Sequence, residues 1–212
     1  MKTPADNASA DYIYQELLAL RAKRGDDDAF EEIVRTFERP VFYYVRRLVE
    51  SDEDAWDVLQ QTWVKAFRGL GSLRETRRLR VWLYAIAHRT VMSHHRTAYR
   101  SQAVREEAFG SAAAVEPDAP PDPDDAERVH QALARLDPDF RAVLTLRFLE
   151  QLSVDETAEI IGVPSGTIKS RLFHAKKALK RISRGSVWAS GPSAAWSPAC
   201  WPRAWPGAGS CG

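Results

Sequence analysis

The chain has 212 residues, a formal net charge of +1 and two cysteines, Cys200 and Cys211, both near its end. That cysteine usage excludes a disulfide-stapled secreted scaffold. The stretch 1–15 lacks the basic start and apolar centre of a signal peptide, and no apolar run approaches the roughly 20 residues of a membrane span, so a cytoplasmic protein without membrane insertion is expected.

Apolar residues recur at helical spacing nearly throughout and no stretch alternates as a strand does, so the expected fold class is all-α. In chain order, a short helix is expected over 12–22. Asp26, Asp27 and Asp28 then form an acidic cap before Ala29, Phe30, Ile33, Val34 and Phe37. Pro40 is expected to bend or divide the helix there, and Val41, Tyr44, Val45 and Leu48 continue the apolar stripe. Ser51 and Asp54 resemble a capping box opening a helix whose Ala55, Leu59, Trp63, Ala66 and Phe67 share a face, and Gly69 and Gly71 end it. A loop over 72–79 leads to a helix carrying Trp82, Leu83, Ile86, Ala87, Thr90 and Val91, which ends near Arg100. Residues 109–125, FGSAAAVEPDAPPDPDD, are too poor in apolar groups to offset their ordering entropy by burial, so they read as a flexible linker.

Beyond the linker, Val129, Leu133 and Leu136 predict one helix, and Pro138 starts a second through Leu149. Ser153 with Glu156 caps a third, which Gly162 breaks, and a last helix spans 165–182 with Ile168, Leu172, Ala175 and Leu179 on one side. The layout from Ser153 onward is that of a helix-turn-helix. With the apolar side inward, a rotation of 100° per residue turns Ser170, Phe173, His174 and Lys177 outward, flanked by Lys169 and Arg171. From Pro164 to Arg184 cations stand without a single carboxylate, whereas a merely solvated helix interleaves both signs. A second cationic stretch, Arg74, Arg77, Arg78 and Arg80 followed by Arg89, Arg96 and Arg100, is offset in sequence by Glu75 alone. Within it Trp82 reads as core, while Tyr84 is a candidate for stacking on bases. His88, His94 and His95 make a poor metal set, because adjacent side chains diverge on a helix and no cysteine or acid completes them. No phosphate loop or activated nucleophile is recognisable, and no cofactor or catalytic residue is expected. Residues 185–212, with Trp188, Trp196, Trp201 and Trp205 among Gly, Pro, Ser and Ala, read as a disordered appendage or an out-of-frame end rather than a thiol sensor.

The segment LDPDFRAVLTLRFLEQLSVDETAEIIGVPSGTIKSRLFHAKKALKRI, from Leu136 to Ile182, closely resembles region four of extracytoplasmic-function sigma factors. DAWDVLQQTWVKAF from Asp54 and VWLYAIAHRTVMSHHR from Val81 resemble their region two, in the family's order. The resemblance implies two small helical modules joined by a flexible linker. These are an N-terminal segment 1–25, region two over 26–106, an acidic Pro-rich linker 107–127, region four over 128–184, and a tail 185–212. It implies core RNA polymerase and promoter DNA as partners, with an anti-sigma factor as a common third. By the same resemblance Asp57, Gln60, Gln61 and Trp63 grip the polymerase clamp. Arg74, Arg77, Arg78, Arg80, Arg89 and Arg96 hold the melted minus-ten strand, and Ser165, Thr167, Lys169, Ser170, Arg171, Phe173, His174 and Lys177 meet the minus-thirty-five element. The chain departs from the family where Gln61 replaces an acid, Arg89 an asparagine, Ser93 an aspartate and His174 an arginine. Rival readings are a two-component or quorum-type regulator, which predicts a phosphoacceptor or ligand domain in front, and a sequestering protein, which needs no basic recognition helix. An enzyme of nucleic-acid metabolism lacks candidate residues.

Overall fold

The computed structural model describes residues 4–109 and 131–185, all helix, turn or loop, with no strand among them. The linker and tail expectations, 107–127 and 185–212, fall on residues outside that set except at their edges, where 107–109 continue α4 and Gly185 ends the last helix. The first module contains α1 (Pro4–Lys23), α2 (Asp27–Arg46), α3 (Asp52–Gly69) and α4 (Leu79–Phe109), with two short 3-10 turns, Leu70–Ser72 and Thr76–Arg78, between α3 and α4. Both α1 and α4 run past the bounds expected from sequence. Asp26 caps α2 by accepting from the Ala29 amide at 3.0 Å. Pro40 does not divide α2. Loss of one amide donor costs about 3 kcal/mol in a helix interior. Ile33, Phe37, Val41, Tyr44 and Val45 are all buried around it, and aliphatic side chains alone contribute about 1.5 to 3 kcal/mol each. Ser51 caps α3 through the Asp54 amide at 3.0 Å, although the Asp54 carboxylate takes the Ser51 hydroxyl rather than closing a reciprocal box.

The second module begins in a helix ending near residue 134, followed by α5 (Pro138–Leu144), a π turn (Thr145–Leu149), α6 (Val154–Ile161) and α7 (Ser165–Gly185). At α6 the capping box is complete: the Glu156 amide donates to Ser153 Oγ at 3.1 Å and the Ser153 amide to Glu156 Oε2 at 2.7 Å. Gly162 closes α6 at φ +79°, a left-handed conformation that glycine adopts without steric cost. Leu133, Leu136, Val143, Leu144, Ala158, Ile168, Leu172 and Ala175 make this module's own core.

Two modules on a flexible tether predict no fixed contact between them, yet here α6 packs along α4. Ala142, Leu146, Leu152 and Ile160 of the second module belong to the same buried cluster as Tyr44, Leu48, Tyr84 and Ala87 of the first. The seam is stitched by Arg141, whose Nη1 donates to the Arg47 carbonyl at 3.2 Å while Nη2 holds the Ala134 and Leu136 carbonyls at 2.7 and 3.0 Å.

Candidate nucleic-acid interface

On α3 the helical period separates two arcs. Ala55, Val58, Leu59, Thr62 and Ala66 are buried, whereas Asp57, Gln60 and Gln61 are exposed. Trp63 is half-buried, its ring edge-on to Phe30 at 6.4 Å. Phe67 corrects the expected buried face: it is 60% exposed, touching Phe30 at a ring distance of 5.1 Å. Val64 is exposed one turn after Gln60. The polar trio therefore adjoins exposed apolar groups, which sequence reasoning assigns to the core (Phe67) or overlooks (Val64). The sign that reveals them is position: 57, 60, 64 and 67 follow helical spacing.

The loop between α3 and α4 is braced by α1. Lys23 Nζ donates to the Leu73 carbonyl at 2.5 Å, and Arg77 Nε donates to Glu16 Oε2 at 3.0 Å with Thr76 nearby at 3.4 Å. Arg74 and Arg77 point to solvent. Arg78 pairs with Glu159 of α6, and Arg80 Nη2 donates to the Glu150 carbonyl at 2.5 Å, with the Glu150 carboxylate at 3.5 Å. Glu75 is thus not the only offset to this cationic stretch, because Glu16, Glu150 and Glu159 also face it. A carboxylate 61 to 81 positions away in the chain leaves no local signal. Along α4, Arg89 and Arg96 are exposed, while Trp82 is half-buried against the first module's core and Gly69. Tyr84 is fully buried and cannot stack on a base; its hydroxyl donates to Glu150 instead.

Glu150 is the electrostatic centre of the seam. It is 5% exposed, and burial raises its pKa against the lowering influence of the Tyr84 hydrogen bond and of Arg80 and Arg47. Burial likewise lowers Arg47 and raises Tyr84 well above the usual phenol range. His88 lies beneath, with Tyr44 Oη 2.8 Å from its Nδ1; desolvation lowers its pKa to about 4. His94 pairs with Asp54 at 3.3 Å and His95 Nε2 meets the Leu48 carbonyl at 2.8 Å, so the α4 histidines have separate structural partners.

On α7, Ile168, Leu172 and Ala175 are buried and Leu179 half-buried, while Lys169, Ser170, Phe173, His174 and Lys177 are exposed and Ser165 and Thr167 lie between. The Phe173 and His174 rings meet edge to face at 5.4 Å, placing an apolar and a polar group side by side on the outer surface. Arg171 differs from its neighbours: its Nη2 pairs with Asp139 at 2.7 Å, against the module's own frame. Lys176 rests over the Phe148 ring at 4.8 Å. The helix that presents these groups carries no carboxylate along its described length, so its outer face is a cationic strip.

Comparison with known proteins agrees on both halves. The family description Sigma-70 region 2 matches residues 33–101 and Sigma-70, region 4 matches 126–179. The RNA polymerase sigma-H factor of Pseudomonas aeruginosa is 33% identical over 175 residues, covering 77% of this chain and 91% of that one. The ECF RNA polymerase sigma-E factor of Escherichia coli K12 is 31% identical over 181 residues, covering 80% and 94%. Among solved structures, the sigma factor RpoE in complex with the anti-sigma factor NepR from Bartonella quintana shares the fold at a TM-score of 0.62, with 24% identity over 74% of this chain and 98% of that one. CnrH in complex with the cytosolic domain of CnrY also gives 0.62, at 24% identity over 82% and 99%.

Proposed function

This chain belongs to the extracytoplasmic-function sigma factors of RNA polymerase, and we propose how its residues divide that work. It binds core RNA polymerase, directs it to promoters and promotes melting where transcription starts. Region two, over 26–106, carries the polymerase-binding arc Asp57, Gln60, Gln61 and Trp63, to which Val64 and Phe67 add apolar contact. The same region holds the melted minus-ten strand through Arg74, Arg77, Arg78, Arg80, Arg89 and Arg96. Region four, over 128–184, reads the minus-thirty-five duplex with Ser165, Thr167, Lys169, Ser170, Arg171, Phe173, His174 and Lys177. The linker spans 107–127. The protein does no chemistry of its own and works in the cytoplasm, where an anti-sigma factor is the expected regulator.

The observation that carries this reading is the exposed, carboxylate-free face of α7 in a chain whose other module bears the arginine loop. A two-component regulator has no use for that second surface, and a sequestering protein none for the first. Run-off transcription with core polymerase and a random promoter library tests it: transcripts should come from templates sharing two spaced elements, and the reading fails if no template is selected above core polymerase alone.

Base reading and anchoring are separable on α7. Neutral imidazole offers one hydrogen bond to a base edge, whereas arginine pairs bidentately with guanine for about 1 to 3 kcal/mol of discrimination. His174→Arg should therefore raise preference for guanine at one position of the minus-thirty-five element in a binding selection. Lys177→Ala should weaken all sequences alike and flatten the salt slope by about one. Unchanged preferences in His174→Arg would show that the outer face is misassigned.

The solvent-facing arginines of the loop should matter more for melting than for duplex binding. Arg74→Ala with Arg77→Ala should cut permanganate reactivity of minus-ten thymines several-fold at equal promoter occupancy. Equal reactivity would remove the loop from strand holding.

A further inference from the structure

The loop that carries Arg74, Arg77 and Arg78 is two short 3-10 turns joined by extended backbone, with Leu73 at φ −63°, ψ 106° and Glu75 at φ −110°, ψ 103°. The second turn has no side-chain cap of its own. Short turns of this kind hold their shape poorly without bonds from elsewhere. Two side chains of α1 supply them. Lys23 Nζ donates to the Leu73 carbonyl at 2.5 Å, while Glu16 accepts from Thr76 Oγ1 at 3.4 Å and from Arg77 Nε at 3.0 Å. Between these two pins, Leu18 and Ala19 are buried in one cluster with Leu70, Leu73 and Leu79.

We infer that α1 positions the strand-binding loop of region two: Glu16 and Lys23 are positioning residues that fix the loop's shape and aim Arg77 at a phosphate of the strand. This deepens the reading of the loop as the strand-binding surface and rests on it. The spacing suits the role. Glu16 and Lys23 lie two turns apart on one face of α1, about 10 Å along the axis at 1.5 Å per residue. Leu73 and Thr76 are separated by about 10 Å of extended chain. The rigid helix thus grips the loop at two points whose separation along each segment is the same.

The Glu16 contact orients Arg77 without using it up. Only Nε of the guanidinium is engaged, and the Arg77 side chain is 83% exposed against 27% for Glu16. The terminal amino groups therefore keep their donors for another acceptor, and they form the outer edge of a fork whose geometry suits a pair of phosphate oxygens. Holding a long side chain in place before the strand arrives removes part of its ordering cost from binding. An ion pair this exposed adds little to stability. Its loss should therefore be felt in strand binding rather than in the melting temperature of the fold.

The test uses the full chain assembled with core polymerase and carrying Glu16→Ala, Lys23→Met, or both; Lys23→Met keeps the length of the stem and removes the donor. One readout is hydrogen exchange over residues 70–78. The other is affinity for a fluorescent oligodeoxythymidylate of about 12 nucleotides, within the span of single-strand sites, with core polymerase alone as background. The double variant should exchange faster over 70–78 and bind the probe at least about fivefold more weakly, while melting temperature and helix content of the free chain stay as they were. A charge swap separates orientation from loss of structure: Glu16→Arg with Arg77→Glu should restore slow exchange yet leave the probe weakly bound, because the cation then stands on α1 and not on the loop. Unchanged exchange in the double variant overturns the positioning role. So does faster exchange with unchanged probe affinity, and so does tighter binding by Glu16→Ala, since Glu16 would then compete with phosphate for Arg77. Unchanged probe affinity in Arg74→Ala with Arg77→Ala would place the failure in the strand-binding reading of the loop, not in the contacts that α1 makes with it.

Discussion

A chain carrying Asp57→Ala and Gln60→Ala should assemble with core polymerase at least about thirtyfold more weakly, corresponding to about 2 kcal/mol or more. Its helix content should be unchanged. Both side chains stand on the outer arc of α3, and neither touches the apolar cluster formed by Ala55, Val58, Leu59 and Ala66 on the inner arc. Exposed polar groups next to exposed Val64 and Phe67 form the mixed surface on which a helical partner gains both burial and hydrogen bonds. A competition pull-down against a reference sigma factor measures the effect. Assembly equal to that of the unaltered chain would move the polymerase contact off this arc. Phe67→Ser is the companion change: it removes apolar contact without disturbing the core, since the ring is mostly in solvent and meets only the edge of Phe30 in an aromatic contact.

Acid should loosen the protein over a window set by His88. Its folded pKa is about 4 against an ordinary value of 6.5, mainly because burial penalises the imidazolium. The groups facing it are Tyr44 from α2, Arg89 on its own helix, and Asp139 and Arg171 from the second module. Asp139 raises the value and the two arginines lower it. Between those pH values the unfolded chain binds a proton that the folded chain refuses. Stability from this group is therefore complete above about pH 6.5, falls as pH drops toward 4, and is lost by about 3 kcal/mol at the lower end. Urea titrations at pH 7 and pH 4.5 should show that difference in the unaltered chain and a smaller one in His88→Gln. Equal pH dependence in the two would mean that His88 is already solvated in solution.

What the sequence disclosed and what it withheld divide by range. Caps at Asp26, Ser51 and Ser153, the stop at Gly162 and the outward turn of Ser170, Phe173, His174 and Lys177 were all legible, because each depends on residues within one or two helical turns. Pro40 does not divide α2, because its local penalty is outweighed by packing that lies elsewhere in the chain. Tyr84 misled because an aromatic residue on a cationic helix suits a base or a core equally well, and only its partner, Glu150, decides. The seam between the modules left no trace: its apolar members, Leu146 and Ile160, also satisfy the helical period of the second module, so their burial against the first adds nothing to the pattern. The exposed polar arc of α3 and the exposed cationic face of α7 were legible as residue types in helical positions. Arg78 and Arg80 being occupied by carboxylates was not.

The seam also couples the molecule's shape to temperature. Parting Leu146, Leu152 and Ile160 from α2 and α4 would wet apolar surface, which raises heat capacity by about 0.45 cal/K/mol for each Å² exposed. Near room temperature that surface is held by an entropic force that weakens on cooling. Chilling therefore shifts the balance away from the joined arrangement and warming toward it, up to the range where the whole fold begins to melt. A sigma factor built this way has a thermal bias written into the contact between its halves, acting before any regulator is bound.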